Sequence, residues 1–370
     1  MRIAFLCGAL EPGRDGVGDY TRRLAGELAR NGHELILISL NDKYIAAEFN
    51  GVQDADGTML QVRRVPGHTP LPKALNLVKA WLQAFNPEWV SLQFVPYSFH
   101  PKGLPFGFFR KLKAVATQAK WHVMFHEIWL DKPERAAQQL VMHAQKLIIY
   151  MGLAQLKPKL VTVTLPYNQA RLQAIGIQAE ISGLFGNIDK SSTEQLPACF
   201  SKAAAYSEKV LYFGGPPRGT FLRQVLDGLE QFCKSHLGKV SIVIVREGSA
   251  EKQQFIETLN KRLGLYGAAV IDCGFLEPNE LSTVLSNCTV GVVRSEPYLI
   301  GKSGAAIAML EHGTPLWLPK WDGKAPADYH FRSHLIFSEL QEANAYPAQS
   351  EYQPLLPEIA EKFITQLNNR

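Results

Sequence analysis

The stretch "RIAFLCGALEPGRDGVGDYTRRLAGELARNGHELILIS" runs from residue 2 to residue 39. It opens with a short apolar run, "RIAFLC", of the length of a buried strand. A loop with several glycines follows. "VGDYTRRLAGELARNG" then sets Val17, Tyr20, Leu24 and Leu28 on one helical face, and Asn31-Gly32 supplies the stop. "ELILIS" is a second apolar run. Strand, loop, amphipathic helix and strand make one parallel βαβ unit.

The alternation continues outward from there. "LPKALNLVKAWLQAF" reads as a helix and "EWVSLQF" as a strand. "PFGFFRKLKAVATQAK" reads as helical in its later part, before the strand "WHVMF". "PERAAQQLVMHAQKLIIY" is a helix and "KLVTVT" a strand. The passage 190–207, rich in Ser, Thr, Gln and Ala, has no clear period and reads as a linker. "EKVLYFGG" (208–215) restarts the series, which runs on to "SGAAIAMLEHG" and "PLWLP". "LPEIAEKFITQLNN" adds one last amphipathic helix. Two series of similar size predict an α/β chain with two doubly wound, Rossmann-like domains, 1–190 and 208–345. Such sheets bind ligands at the carboxyl ends of their strands, which makes a cleft between the two domains the expected site.

The bulk numbers fit a soluble chain with large cores. Hydrophobic residues make up 46% of the 370, charged residues 20%, and the net charge is +5. The first 190 residues hold 22 Lys and Arg against 15 Asp and Glu, while the rest hold 17 against 19. A basic front half suits an anionic partner, either a membrane surface or a charged acceptor, and equally suits a solvated surface without a role. The five cysteines are not closely paired, and most sit in or beside apolar segments, as buried thiols in a reducing compartment do. No metal-ligand spacing occurs, so no metal is expected. "IAFLCGAL" is too short for a signal peptide's apolar core plus cleavage region. No run of about 18 apolar residues occurs. The expectation is a cytoplasmic protein, with the inner face of the membrane as a candidate place of work.

Five loops could hold chemistry. "GALEPGRDGVGDY" carries Gly13, Gly16 and Gly18 ahead of a helix start, where backbone N–H groups suit an anion. It is not a dinucleotide fingerprint, because the third glycine is missing. Asp19 and Tyr20 close this loop. "FGGPPRGTF" places Gly215 and Arg218 after a strand, where a guanidinium can clamp a diphosphate. "YLIGKSGAAIAML" sets Lys302, Ser303, Gly304 and Ala305 at a helix start, as a phosphate cradle or as an ordinary Ser N-cap. "MFHEIWL" puts His126 and Glu127 straight after a strand, where a histidine can meet a sugar hydroxyl. Gln93 and Tyr97 follow the preceding strand and suit sugar recognition or a wet loop. "LPFGFFRKLK" (104–113) mixes Phe106, Phe108 and Phe109 with Arg110, Lys111 and Lys113. That fits peripheral membrane contact, or a helix that buries its rings. No nucleic-acid motif accompanies it.

Taken in order, "GVGDY", "ARNGHELILIS", "VSLQFVPYSF", "FHEIW", "LYFGG", "GFLEPNELSTVLSNCTVGVV" and "AIAMLEHGTPLWLP" resemble the GT-B glycosyltransferases of the large retaining group, family-4-like in type. The likeness spans nearly the whole chain. It implies a nucleotide-diphospho-sugar co-substrate held by the second domain and an acceptor held by the first: a glycan, a lipid-linked sugar or a small molecule. It implies no tightly bound cofactor, and a final helix (350–370) that crosses back onto the first domain. Gly16 and Gly18 inherit a place near the donor phosphates, and His126 becomes the catalytic candidate. Gly215, Arg218, Glu296, Lys302, Ser303, Gly304 and Ala305 are assigned to the donor. Asp19, Tyr20, Gln93, Tyr97 and Glu127 are assigned to the acceptor.

Two departures from the family pattern stand out. The lysine expected beside Arg218 falls near Thr220. The pair of glutamates expected eight apart falls on Ile300 and Ala308, so the usual ribose carboxylate is missing. Glu296 and Glu311 are candidate substitutes from shifted positions. Two readings therefore stay open: a transferase with a rewired donor site, or a non-catalytic GT-B scaffold or silent subunit.

Overall fold

The computed structural model describes all residues except 117, 194, 294–296, 320–330 and 348–351. The chain forms two compact units. One comprises Met1–Gly183 with Leu356–Arg370, the other Leu184–Leu355.

The first unit runs β1 (Arg2–Cys7), α1 (Gly16–Arg30), β2 (Glu34–Asp42), β3 (Phe49–Ala55), β4 (Thr58–Pro66), α2 (Leu71–Phe85) and β5 (Trp89–Phe94). It continues with α3 (Pro96–Phe99), α4 (Phe108–Lys113), β6 (Lys120–Phe125), α5 (Ala136–Leu156), β7 (Leu160–Val163), α6 (Pro166–Gln173) and β8 (Glu180–Ile181). Among the described residues its sheet has the order β3-β4-β2-β1-β5-β6-β7-β8. β1 lies between β2 and β5, parallel to both, with Ile3 opposite Leu35 on one side and Trp89 on the other. Strands covered by helices on both faces carry unbroken apolar runs, and β5 is buried at every residue. Strand order reverses between β1 and β5, so the loops after these strands flank a topological switch point.

Local chemistry explains α1. Asp15 is its N-cap, and Leu24, Ala25 and Leu28 face the core. Gly18 lies so near the preceding loop that an added Cβ would sit 2.5 Å from the Ala9 carbonyl oxygen. Gly32, at φ +82°, ends the turn.

Two local features differ from the expectation. β3 and β4 form an antiparallel hairpin around Asp56-Gly57, both at positive φ. That is the geometry a two-residue Asp-Gly turn favours, but β3 is largely exposed and shows no apolar run. α4 occupies the middle of the 105–120 stretch, not its later part. It starts after Gly107, at φ +66°, and stops by Ala114.

The second unit runs β9 (Glu208–Phe213), α7 (Gly219–Ser235), β10 (Val240–Val245), α8 (Ala250–Leu263), β11 (Ala269–Gly274), α9 (Pro278–Asn287) and β12 (Val290–Val292). α10 (Gly304–Glu311), β13 (Leu316–Trp317), β14 (Ile336–Phe337) and α11 (Leu340–Ala345) complete it. The parallel strands take the order β11-β10-β9-β12-β13-β14, with the switch between β9 and β12. Residues 190–207 are not a free linker. Phe200–Ala205 form a 3-10 turn whose Phe200 and Ala203 are buried with Leu211 and Val243. A three-residue period escapes a search for 3.6.

The last helix, α12 (Leu356–Asn368), belongs to the first unit, where it packs on α1. Phe363 stacks on Phe5 at 5.8 Å and meets the His122 ring edge-on at 5.3 Å.

Candidate active site

In the first unit, β6 delivers His126 one residue past its end, 8% exposed. Its Nε2 lies 2.8 Å from Gln93 Oε1, at the end of β5. Gln93 Nε2 donates to Ser91 Oγ at 2.8 Å, and Ser91 Oγ lies 2.8 Å from His122 Nδ1. His122 Nε2 lies 2.8 Å from Thr162 Oγ1, which donates to Met124 Sδ at 2.9 Å. This file of polar groups crosses three adjacent strands inside the sheet. Burial pushes both imidazoles down to about 3, so both are neutral at physiological pH. The Tyr20 ring meets His126 edge-on at 4.9 Å, and burial pushes its phenol up to about 12 against a hydrogen bond with Ser182.

The glycine loop is held from below. Asp42, fully buried, accepts from Leu10 N at 3.0 Å, Ser39 Oγ at 3.1 Å and Arg64 Nε at 2.8 Å. Burial pushes the Asp42 carboxyl up, but hydrogen bonds from Arg64, Leu10 and Tyr44 outweigh it and hold the group below its ordinary value. Arg64 also reaches Glu11 at 2.6 Å. At the helix start, Asp15 accepts from Val17 N at 3.1 Å and Gly18 N at 2.8 Å. The chain's own carboxylate thus takes the N–H groups that would otherwise suit a phosphate.

In the second unit, the loop after β9 passes through Gly214 at φ +127°, and Gly215 O accepts from Tyr212 Oη at 2.7 Å. Arg218 is the α7 N-cap residue; its exposed side chain pairs with Glu251. Ser303 caps α10, accepting from Ala306 N at 3.2 Å. Lys302 and Gly304 are exposed and Ala305 is half-buried. Ala308, 1% exposed, belongs to the apolar core. Glu311 is also buried. Its Oε1 accepts from Gly186 N at 3.1 Å and Leu355 N at 2.9 Å. Among the described residues, no group of three His, Cys, Asp or Glu is placed to hold a metal ion.

Residues 15–180 match the family profile of the glycosyl transferase 4-like domain. That stretch, which lies within the first unit, is similar to the glycosyl transferase 4-like domain. The whole chain takes the GT-B fold. It covers 99% of its length against sucrose-phosphate synthase from Thermosynechococcus elongatus, and 95% of that chain, at 17% identity and a TM-score of 0.58. It is matched over all of both chains to Anabaena HepE in complex with UDP and glucose, at 16% identity and a TM-score of 0.59. The UDP-GlcNAc 2-epimerase of Methanocaldococcus jannaschii also matches over both whole chains, at 10% identity and a TM-score of 0.56. Transferases and an epimerase share this fold, so the fold alone does not choose between them. No curated protein matches the chain in sequence.

Within the first unit, several expected contacts change place. Tyr20 and Gln93 are 2% and 1% exposed, so they back His126 instead of lining an acceptor wall. Asp19 is engaged with Arg22 and with Gly13 N. Tyr97 is exposed and Glu127 half-buried. Gly16 has open space around its Cα, as close ligand approach needs, whereas Gly18 is a packing glycine. In the second unit, Glu311 is buried and its Oε1 accepts from two backbone amides. Glu296 lies outside the described residues. Sequence reasoning missed Asp15, Asp42, Ser91, His122 and Thr162. For Asp15 a signal existed: Asp ahead of a helix start is a capping residue. The other four act through strand pairing, which no local pattern displays.

Proposed function

We propose that this chain moves a sugar, with retention, from a nucleotide-diphospho-sugar to a hydroxyl of a glycan, lipid-linked or small-molecule acceptor, without a metal ion. The observation that carries this reading is His126. It is a neutral imidazole, anchored at a strand end beside a topological switch point, inside the stretch similar to the glycosyl transferase 4-like domain. Arg218, Lys302 and the 303–305 backbone supply the positive charge and N–H groups that a leaving diphosphate needs. The transition state is oxocarbenium-like, as in glycoside hydrolysis. The leaving phosphate takes the acceptor proton, so no separate base is required. The complex of HepE with UDP and glucose makes uridine donors the first to test.

The acceptor end has a membrane side to it. Phe108 and Phe109 are buried, but Phe106 is 65% exposed beside exposed Arg110, Lys111 and Lys113. α5 adds exposed Leu140, Leu147, Tyr150 and Met151, and contains no acidic residue. Apolar side chains flanked by cations suit an anionic bilayer surface. Among the described residues no helix is long and apolar enough to cross a membrane. Sedimentation with anionic vesicles tests this contact. Leu147→Glu with Met151→Glu abolishes binding if it is correct.

One observation favours the silent scaffold instead: the position expected to hold the ribose carboxylate is buried alanine. Titration with UDP, GDP, ADP and their sugar conjugates, read by thermal unfolding, separates the two. A ligand at 100 times its Kd adds about 2.7 kcal/mol of stability. A transferase responds to at least one nucleotide sugar, and Lys302→Ala and Arg218→Ala lose the response. A scaffold responds to none.

A further inference from the structure

The file from His126 to Met124 has a direction. Ser91 and Thr162 each have a single hydroxyl proton, and Met124 Sδ can only accept. With Thr162 donating to sulfur, its oxygen accepts from His122 Nε2–H. His122 Nδ1 then carries the lone pair and accepts from Ser91 Oγ–H. Ser91 Oγ accepts from Gln93 Nε2, which turns Gln93 Oε1 toward His126. His126 must meet that oxygen with Nε2–H, leaving Nδ1 unprotonated. The opposite polarity satisfies every link except Thr162 to Met124, which it loses.

We propose that Thr162, His122, Ser91 and Gln93 are positioning residues that fix His126 in the Nε2–H tautomer, so that Nδ1 is its hydrogen-bond acceptor toward a sugar hydroxyl. The sugar part rests on the transfer reading; the tautomer part does not. No hydrogen bond to His126 Nδ1 occurs among the described residues, and the residue as a whole is 8% exposed. Gln93 is the hinge of the device. An amide presents oxygen on one side and nitrogen on the other, so the polarity set at Ser91 reappears inverted at His126.

The test reads nitrogen atoms and needs no substrate. Two-bond proton–nitrogen correlation spectra of histidine-labelled protein separate the two neutral tautomers, and His126→Gln assigns the signal among ten histidines. The wild type should show His126 as Nε2–H. Thr162→Val deletes the terminal acceptor and donor, releasing the polarity, so the His126 signal moves toward the Nδ1–H pattern four residues away along the file. Thr162→Ser restores it. Where Thr162→Val fails to fold, Ser91→Ala cuts the same path one link from Gln93 and gives the same movement. An Nδ1–H tautomer in the wild type overturns the inference, and so does a His126 signal that ignores both substitutions. If the tautomer responds as stated but no nucleotide sugar reacts, the positioning device stands and the transfer reading falls. If transfer occurs, Thr162→Val lowers kcat about tenfold, the loss of one hydrogen bond, with KM little changed.

Discussion

His126 Nε2 and Gln93 Oε1 sit 2.8 Å apart, on neighbouring parallel strands whose ends lie beside the switch point of the first sheet. The pairing of Phe94 with Phe125 sets that distance, because each polar residue flanks its aromatic by one position. Gln93→Leu keeps the volume and removes both hydrogen bonds. It leaves a buried N–H on His126 without an acceptor, at a cost of about 1–3 kcal/mol in urea unfolding. A variant as stable as the wild type would mean that the pair is not formed.

The pH dependence of stability follows chiefly from the three most deeply buried of four depressed histidines. His122 and His126 are pushed down to about 3 and His312 to about 4, each mainly by burial. In the unfolded chain a histidine titrates near 6.5. Below that pH the unfolded state binds protons that the fold refuses, so stability is fully present above about 6.5 and falls toward the folded values. The slope approaches roughly 1.4 kcal/mol per pH unit for each histidine. Urea unfolding at several pH values between 7.5 and 5 should show this decline, shallower in His312→Asn. A curve that stays level over the range contradicts neutral burial.

The two glycines of the first loop should behave differently. A methyl at Gly18 meets the Ala9 carbonyl at 2.5 Å, while one at Gly16 meets nothing within 4 Å. Gly18→Ala therefore destabilises the first unit by about 1–3 kcal/mol, the usual cost of overpacking. Gly16→Ala leaves the melting temperature within about a degree or two, since surface changes are worth about ±0.5 kcal/mol. If the loop meets donor phosphates, Gly16→Ala raises the donor's KM. Equal thermal effects of the two substitutions would refute the distinction.

Glu311 and Gly186 form a matched pair. A Cβ on Gly186 would lie 2.1 Å from Glu311 Oε2 and 3.2 Å from Ala308 Cα. Glu311→Ala strips the acceptor from two backbone amides and costs about 2–4 kcal/mol. Gly186→Ala alone is also costly. The double variant should be less unstable than the sum, because removing the carboxylate makes room for the methyl. Strict additivity in a denaturation cycle would show that the two do not touch.

Arg218 is a test of whether the second unit's cradle is held in reserve. Its guanidinium is paired with Glu251, at an exposed site. Glu251→Ala leaves stability nearly unchanged, as loss of an exposed pair does. It should tighten nucleotide-sugar binding severalfold by freeing the guanidinium for phosphate. Unchanged or weaker binding by calorimetry removes Arg218 from the donor site.

The βα alternation was legible because buried parallel strands and amphipathic helices write their periods directly into residues such as Val17, Leu24 and Leu28. His126 was legible for a similar reason: it directly follows an apolar strand. Its supports were not. Ser91, His122 and Thr162 each sit in an otherwise apolar run, and only strand register makes them neighbours. The sequence placed Tyr20 on the apolar face of its helix, and the family resemblance assigned it, with Gln93, to the acceptor. In the structure both are buried: Gln93 pairs with Ser91 and His126, and the Tyr20 ring meets His126. The hairpin of β3 and β4 escaped for the opposite reason, since an edge strand with exposed faces carries little periodic signal.

The central claim is catalysis of sugar transfer. The most direct measurement is release of nucleoside diphosphate from a panel of nucleotide sugars, with proton NMR of the sugar product's anomeric signal. The account predicts diphosphate release from at least one donor, a product with the donor's anomeric configuration, and loss of both in His126→Ala. No release from any donor with glycan, lipid-linked or small-molecule acceptors contradicts it, as does a product of inverted configuration.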